Sequence, residues 1–207
     1  MRASMLKYGV LISTAYAMVC MWHWKIGVTF FTQLSNIFAA GVVLAQLLTG
    51  SKKLIPVKFM AVVSVIVTAL VFLTLVAPLM PGGIIGAYAQ DHCASLCLHV
   101  ITPLLSTADF LINERNYDWK RGHILLGIVP PVIYFVFILV LGAIGVRWFG
   151  NMTAPYPFLN YAAPAGWFGF RPDTIGPTSL GIGVGYMMPV ILGLFVLLSW
   201  LLIRRRQ

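Results

Sequence analysis

Six apolar runs, most of them roughly twenty residues long, leave this chain very few ways to fold. An α-helix rises about 1.5 Å per residue, so a run of about twenty residues can cross a hydrocarbon core of about 30 Å. The runs are continuous rather than alternating, which excludes the two-residue pattern of an outer-membrane barrel. Of the 207 residues, 60% are hydrophobic and 9% charged, too little charge to cover a soluble domain. The expected fold is an all-α integral membrane protein, one domain over residues 1–207. Its six transmembrane helices are expected near 6–21, 28–48, 57–80, 92–113, 124–146 and 179–203. Pro81-Gly82-Gly83 stops the third and Arg204-Arg205-Arg206 the sixth.

The basic residues orient these helices. Arg2, Lys7, Lys52, Lys53, Lys58, Arg115, Lys120, Arg121, Arg204, Arg205 and Arg206 fall on one side, and Lys25, Arg147 and Arg171 on the other. Eleven against three is a strong positive-inside bias and predicts cytoplasmic termini. The formal charge of +9 therefore reports topology and not nucleic acid, because the cations sit in short clusters between apolar runs. Residues 147–178 then form the longest outer loop. Its Pro, Gly and aromatic residues make it too apolar for a solvated linker, so it is expected either in an interfacial belt or as a lid over the helix mouth.

Cys20, Cys93 and Cys97 do not make a disulfide framework, although one bridge from Cys20 to either of the others fits if the outer helix ends meet. No Cys/His spacing resembles a zinc site. The first 22 residues carry no small-residue cleavage site and read as a span, not a leader.

Chemistry is sought where polar groups enter the apolar runs. His92, Ser95, His99, Thr102, Ser106, Asp109 and Asn113 recur at steps of three and four, which lines them up on one helix face. Lipid solvates imidazole and carboxylate poorly, so the stripe is expected to face protein or an internal cavity. In the second run Thr32, Gln33, Ser35 and Asn36 gather at the outer end. The helical rise puts Thr32 and Asn36 roughly 5–12 Å below the outer boundary and His99 about 10 Å below it. A hydroxyl, two amides and an imidazole thus share one depth, the parts of a nucleophile, its base and oxyanion donors.

The structural alternative is weighed residue by residue. A lone Ser or Thr in a membrane helix usually bonds back to its own helix or packs against another. A mid-span histidine has no such ordinary explanation, and His99 is the residue that calls for function. His92, His23 and His123 sit near boundaries and read as anchors. Asp109 lies about 15 Å along the helix from His99, too far to orient its ring. Haem ligation wants a second deep histidine on another helix, which the sequence lacks. Gly181, Gly183, Gly185 and Pro189 interrupt the sixth run as in transporters, but no inverted repeat accompanies them.

Three ordered stretches carry a resemblance. Phe30-Phe31-Thr32 opens an apolar helix; His99 is followed by Pro103 and Asp109; Tyr156-Pro157-Phe158-Leu159 precedes Pro164 and Gly166. Together they span about residues 29–170 and resemble the androgen-induced gene 1 and androgen-dependent TFPI-regulating protein family. These are multi-span threonine hydrolases of fatty acid esters of hydroxy fatty acids. The resemblance implies Thr32 as nucleophile and His99 as base. Two departures stand out: the proline is one residue nearer the histidine than in the animal members, and the helix-two motif continues Gln33-Leu34-Ser35-Asn36. The short, unadorned chain is similar to what a bacterial relative would be.

The expected function is an intramembrane lipid-ester hydrolase with catalytic Thr32 and His99. Gln33, Asn36, Ser95, Tyr156 and Phe158 are expected to contact the substrate, with no metal or organic cofactor. Expected partners are a lipid or acyl-ester substrate and membrane lipids, not nucleic acid. The expected location is a bacterial inner membrane with the site towards the outer side. The competing class is a non-catalytic lipid-binding protein or small-molecule transporter using the same cavity.

Overall fold

The computed structural model describes residues 2–23 and 25–204. Every regular element among them is helical, apart from two isolated bridges, Phe170–Ile182 and Gly176–Ser179. Five stretches are long and apolar enough to cross a membrane: Phe31–Thr49, Lys52–Val76, Gly83–Asn113, Arg121–Ala143 and Val184–Arg204. A sixth apolar helix, Met5–Cys20, is shorter. The architecture is that of an α-helical membrane protein.

The chain divides into two compact units, Met1–Pro130 with Phe195–Gln207, and Pro131–Leu194. In the first, α1 (Arg2–Cys20), α2 (Phe31–Thr49), α3 (Ile55–Val71), α4 (Gly83–Leu96) and α5 (Thr102–Asn113) follow one another. Helix α1 packs on α2 and α5, and α3 packs on the same two, which closes a four-sided bundle. Local chemistry sets the helix ends. Gly50 takes the left-handed conformation (φ 64°) that closes α2, and its N–H caps the Gln46 carbonyl. Pro56 opens α3, where a missing N–H costs nothing.

Two of the expected helices differ in the structure. The fourth run was expected to begin at His92, but helical turns begin at Gly83 and are interrupted at Gln90–Cys93. Asp91, His92 and Cys93 all have positive φ, 52°, 56° and 65°. His92 therefore leaves the polar stripe: its side chain is exposed, and its carbonyl accepts the Tyr16 hydroxyl at 2.8 Å. The sixth run was expected from 179, but α7 (Val184–Arg204) starts five residues later. Gly181 has φ 69° there, and its N–H is held by the Ser179 hydroxyl at 3.0 Å, a bend instead of a helical turn. All three cysteines are free thiols.

The end of the first unit where α2 finishes carries a buried charge cluster. Lys58 Nζ lies 2.5 Å from Asp109 Oδ2 and 2.7 Å from Glu114 Oε1, and Lys7 Nζ lies 3.1 Å from Asp109 Oδ2. Gln46 joins in, accepting from Lys7 at 2.8 Å and donating to Glu114 at 3.2 Å. Lys58 and Asp109 are 1% and 0% exposed. Two of the eleven cations used to orient the chain are thus neutralised inside the bundle, which leaves nine for the positive-inside count. Asp109 finds its partners on α1 and α3 and not in nearby Arg115, which is exposed.

The second unit contains most of α6 (Val129–Ala143), the aromatic loop and the first half of α7. The loop is folded on itself. Asn160 Oδ1 accepts from Thr153 N and Oγ1, while its Nδ2 donates to Thr178 O at 2.9 Å. Tyr156 stacks on Phe158 with centroids 5.1 Å apart, and Tyr161 stacks on Trp167 at 5.4 Å. Aromatic faces and short polar side chains here do the work that water does for an ordinary loop.

Candidate active site

The site begins with two prolines. Neither Pro78 nor Pro103 can donate a backbone hydrogen bond, and each would crowd the carbonyl four residues back in a regular helix. The chain widens instead. Phe72–Val76 and Cys97–Ile101 are both π-helical turns, in which Ala77 N–H reaches back five residues to Phe72 O and Thr102 N–H to Cys97 O. The same device therefore occurs twice, one residue before each proline. The first widened turn carries Phe72 and the second carries His99. Their rings stack with centroids 3.5 Å apart and planes 13° from parallel.

The second widening also frees a backbone acceptor. Leu98 O would take Thr102 N–H in an α-helix, but that donor goes to Cys97 O, and the next residue is Pro103. Asn36 on α2 supplies the missing donor, with Nδ2 3.2 Å from Leu98 O and 2.8 Å from Thr32 O. Both neighbours are carbonyl oxygens, so the amide nitrogen must face them. Asn36 is 0% exposed and clamps α2 to the widened turn of the histidine run.

That clamp holds Thr32 and His99 together. Thr32 Oγ1 lies 3.3 Å from His99 Nε2, and both residues are buried. The other ring nitrogen fixes the tautomer. His99 Nδ1 is 2.8 Å from Ser95 O and 3.3 Å from Ser95 Oγ. A carbonyl only accepts, so Nδ1 carries the proton, and Nε2 presents its lone pair to the Thr32 hydroxyl. This is the arrangement a general base needs before a hydroxyl attacks. Thr32 also sits in the first turn of α2, where the positive end of the helix dipole favours developing negative charge.

The remaining expected contacts sort unevenly. Ser95 was expected to meet substrate; the structure gives it to the imidazole, one helical turn away, as a positioning residue. Asn36 was expected to offer oxyanion donors, yet both its amide protons are directed at carbonyls; what remains is Oδ1, a buried acceptor without a protein partner. Among the described residues Gln33 Oε1 is buried without a partner, and its Nε2 meets the weak acceptor Met21 Sδ at 3.8 Å. Two unmatched buried acceptors suit a water or a hydroxyl better than an oxyanion. Tyr156 and Phe158 belong to the second unit, whereas Thr32 and His99 belong to the first.

The lower part of the stripe serves packing. Thr102 shares a 2.7 Å hydroxyl contact with Ser13 of α1, Asp109 joins the charge cluster, and Asn113 Nδ2 donates to Asp109 Oδ1. Phe72 was not among the expected site residues; Pro78 inside a long apolar run was the signal that could have drawn attention to its turn.

Asn36→Leu tests the clamp. It leaves Leu98 O without its side-chain donor, at a cost of about 1–3 kcal/mol, which thermal unfolding in detergent will show as a lower midpoint. If instead the midpoint is unchanged, Asn36 does not hold the widened turn.

Comparison with protein-family models, curated proteins and solved structures finds no match to this chain.

Proposed function

We propose that the chain is an intramembrane hydrolase of lipid esters in which Thr32 is the nucleophile and His99 the base. The observation that carries the reading is the 3.3 Å contact from Thr32 Oγ1 to His99 Nε2, with Nδ1 committed to the Ser95 carbonyl. The motif resemblance to the threonine hydrolases of fatty acid esters of hydroxy fatty acids agrees with it, and so does the apolar surround. Thr32 Oγ attacks the ester carbonyl carbon as its proton passes to His99 Nε2. The tetrahedral intermediate collapses as the imidazolium returns that proton to the departing alcohol oxygen, which leaves an acyl-threonine. Water then attacks the acyl carbon, giving its proton to Nε2. Collapse of the second intermediate frees the fatty acid and restores the threonine hydroxyl. Asn36 Oδ1 and Gln33 Oε1 are suited to orient that water. Gln33 Nε2, whose described partner is the weak acceptor Met21 Sδ, is the side-chain donor proposed to serve the oxyanion.

Purified protein should hydrolyse a fatty acid ester of a hydroxy fatty acid, and a fluorophosphonate probe should label Thr32. Ester binding without turnover, and without labelling, would replace the hydrolase reading with a lipid-binding protein or transporter.

The proposal extends to topology: six spans, with both termini in the cytoplasm of a bacterial inner membrane and the Thr32 end of the bundle towards the outside. Nine basic residues against three support this orientation after the two ion-paired lysines are set aside. Single cysteines at the C-terminus and at Asn151, in a background lacking Cys20, Cys93 and Cys97, should react with a membrane-impermeant maleimide from opposite faces of sealed vesicles. Labelling of both from one face would overturn the orientation.

A further inference from the structure

A groove of about 330 Å³ opens at the other end of the first unit from Thr32, lined by Arg121, Ile124, Trp200, Ile203 and Arg204. It lies between the helical turns Arg121–Ile128 and the last turn of α7. Gly127 permits this approach, because a side chain there would run into Ser199 of α7. Volume alone places the groove in the range of small-molecule sites, roughly 300–1,000 Å³. Its chemistry is more specific. Two guanidinium groups flank an apolar floor, no carboxylate lines it, and neither arginine is ion-paired with a carboxylate among the described residues. Arg204 lies over the Trp200 ring, 4.8 Å from its centroid, and this ring is 39% exposed. Ile203 beneath is 2% exposed and gives the floor a fixed wall.

Unpaired guanidiniums favour phosphate, which they bind through paired N–H donors. A free phosphate would leave Ile124, Trp200 and Ile203 without a role, whereas an amphiphile satisfies both parts. We propose that this groove is a binding site for an acidic phospholipid. The headgroup phosphate sits between Arg121 and Arg204, and the glycerol and upper acyl carbons lie on Ile124, Trp200 and Ile203. The site is separate from Thr32 and His99 and does not depend on the hydrolase reading. It takes a lipid of the surrounding bilayer as a structural ligand rather than a substrate.

The test uses the full chain in neutral detergent micelles, titrated with phosphatidylglycerol or phosphatidylcholine while thermal unfolding is followed. Phosphatidylglycerol is expected to raise the midpoint in a saturable way, and phosphatidylcholine is not. In R121Q/R204Q the affinity read from the titration should fall by about fivefold per arginine removed, or roughly 25-fold together. The charge-matched control K53Q/R115Q, altered at two exposed sites outside the groove, should respond like the wild type. Inorganic phosphate at equal concentration should produce no comparable shift. The proposal is overturned by any of three results: R121Q/R204Q keeping the wild-type response, the control pair losing as much as the groove pair, or inorganic phosphate reproducing the shift.

Discussion

Under the proposed mechanism, turnover in Thr32→Ala is expected to fall at least about 10⁴-fold, with the fold intact, because Thr32 carries the acyl intermediate. His99→Ala should lose a comparable factor, since a threonine hydroxyl left to itself is far too weakly acidic to attack. The two losses should not multiply. Residues that act as one unit fail together, so T32A/H99A is expected to be no slower than the worse single variant. Thr32→Ser keeps the hydroxyl but loses the β-branch that limits its rotamers, and should retain part of the activity. Steady-state hydrolysis of a fatty acid ester by the four purified variants decides the matter. Full turnover by Thr32→Ala would remove this residue from the chemistry.

The second large effect falls on stability. Asp109→Leu leaves the buried Lys58 and the half-buried Lys7 against a single carboxylate, Glu114. Stripping one partner from a buried pair typically costs about 3–5 kcal/mol, and here it leaves two cations sharing one carboxylate, with one positive charge unbalanced. A drop of that order is expected in unfolding free energy measured in detergent, and Lys58→Met should cost a similar amount. The double variant K58M/D109L removes one charge of each sign and should recover most of the loss, since desolvating a pair offsets much of its attraction. Losses that simply add would mean that the two residues do not act on each other.

The spans could be read from the chain because lipid leaves no alternative: a run of apolar residues long enough to cross must be a helix with its backbone satisfied internally. Depth could be read as well. Helical rise converts residue number into distance and puts Thr32 and His99 at one level, as their 3.3 Å separation requires. What rise does not give is rotation about the helix axis. The interruption at Gln90–Cys93 has no glycine or proline within it, so nothing local signalled three successive left-handed residues, and His92 was wrongly placed in the stripe. The fate of Lys7 and Lys58 was hidden for a different reason. A cation near a helix end normally reaches for the headgroups, and only the positions of Asp109 and Glu114 on a neighbouring helix turn these two inward. Pro78 and Pro103 were visible throughout. Their effect on the turns before them, and hence the roles of Phe72 and Asn36, needed the third dimension.

Pro103 sets stability and alignment against each other at this site. A variant with alanine there would regain a backbone donor, let the helix close to its ordinary pitch, and take Leu98 O back from Asn36. The helix would be the better for it, and the alignment of Thr32 with His99 the worse. Random variants screened only for resistance to heat are therefore expected to lose the proline, and with it the alignment that the proposed chemistry needs.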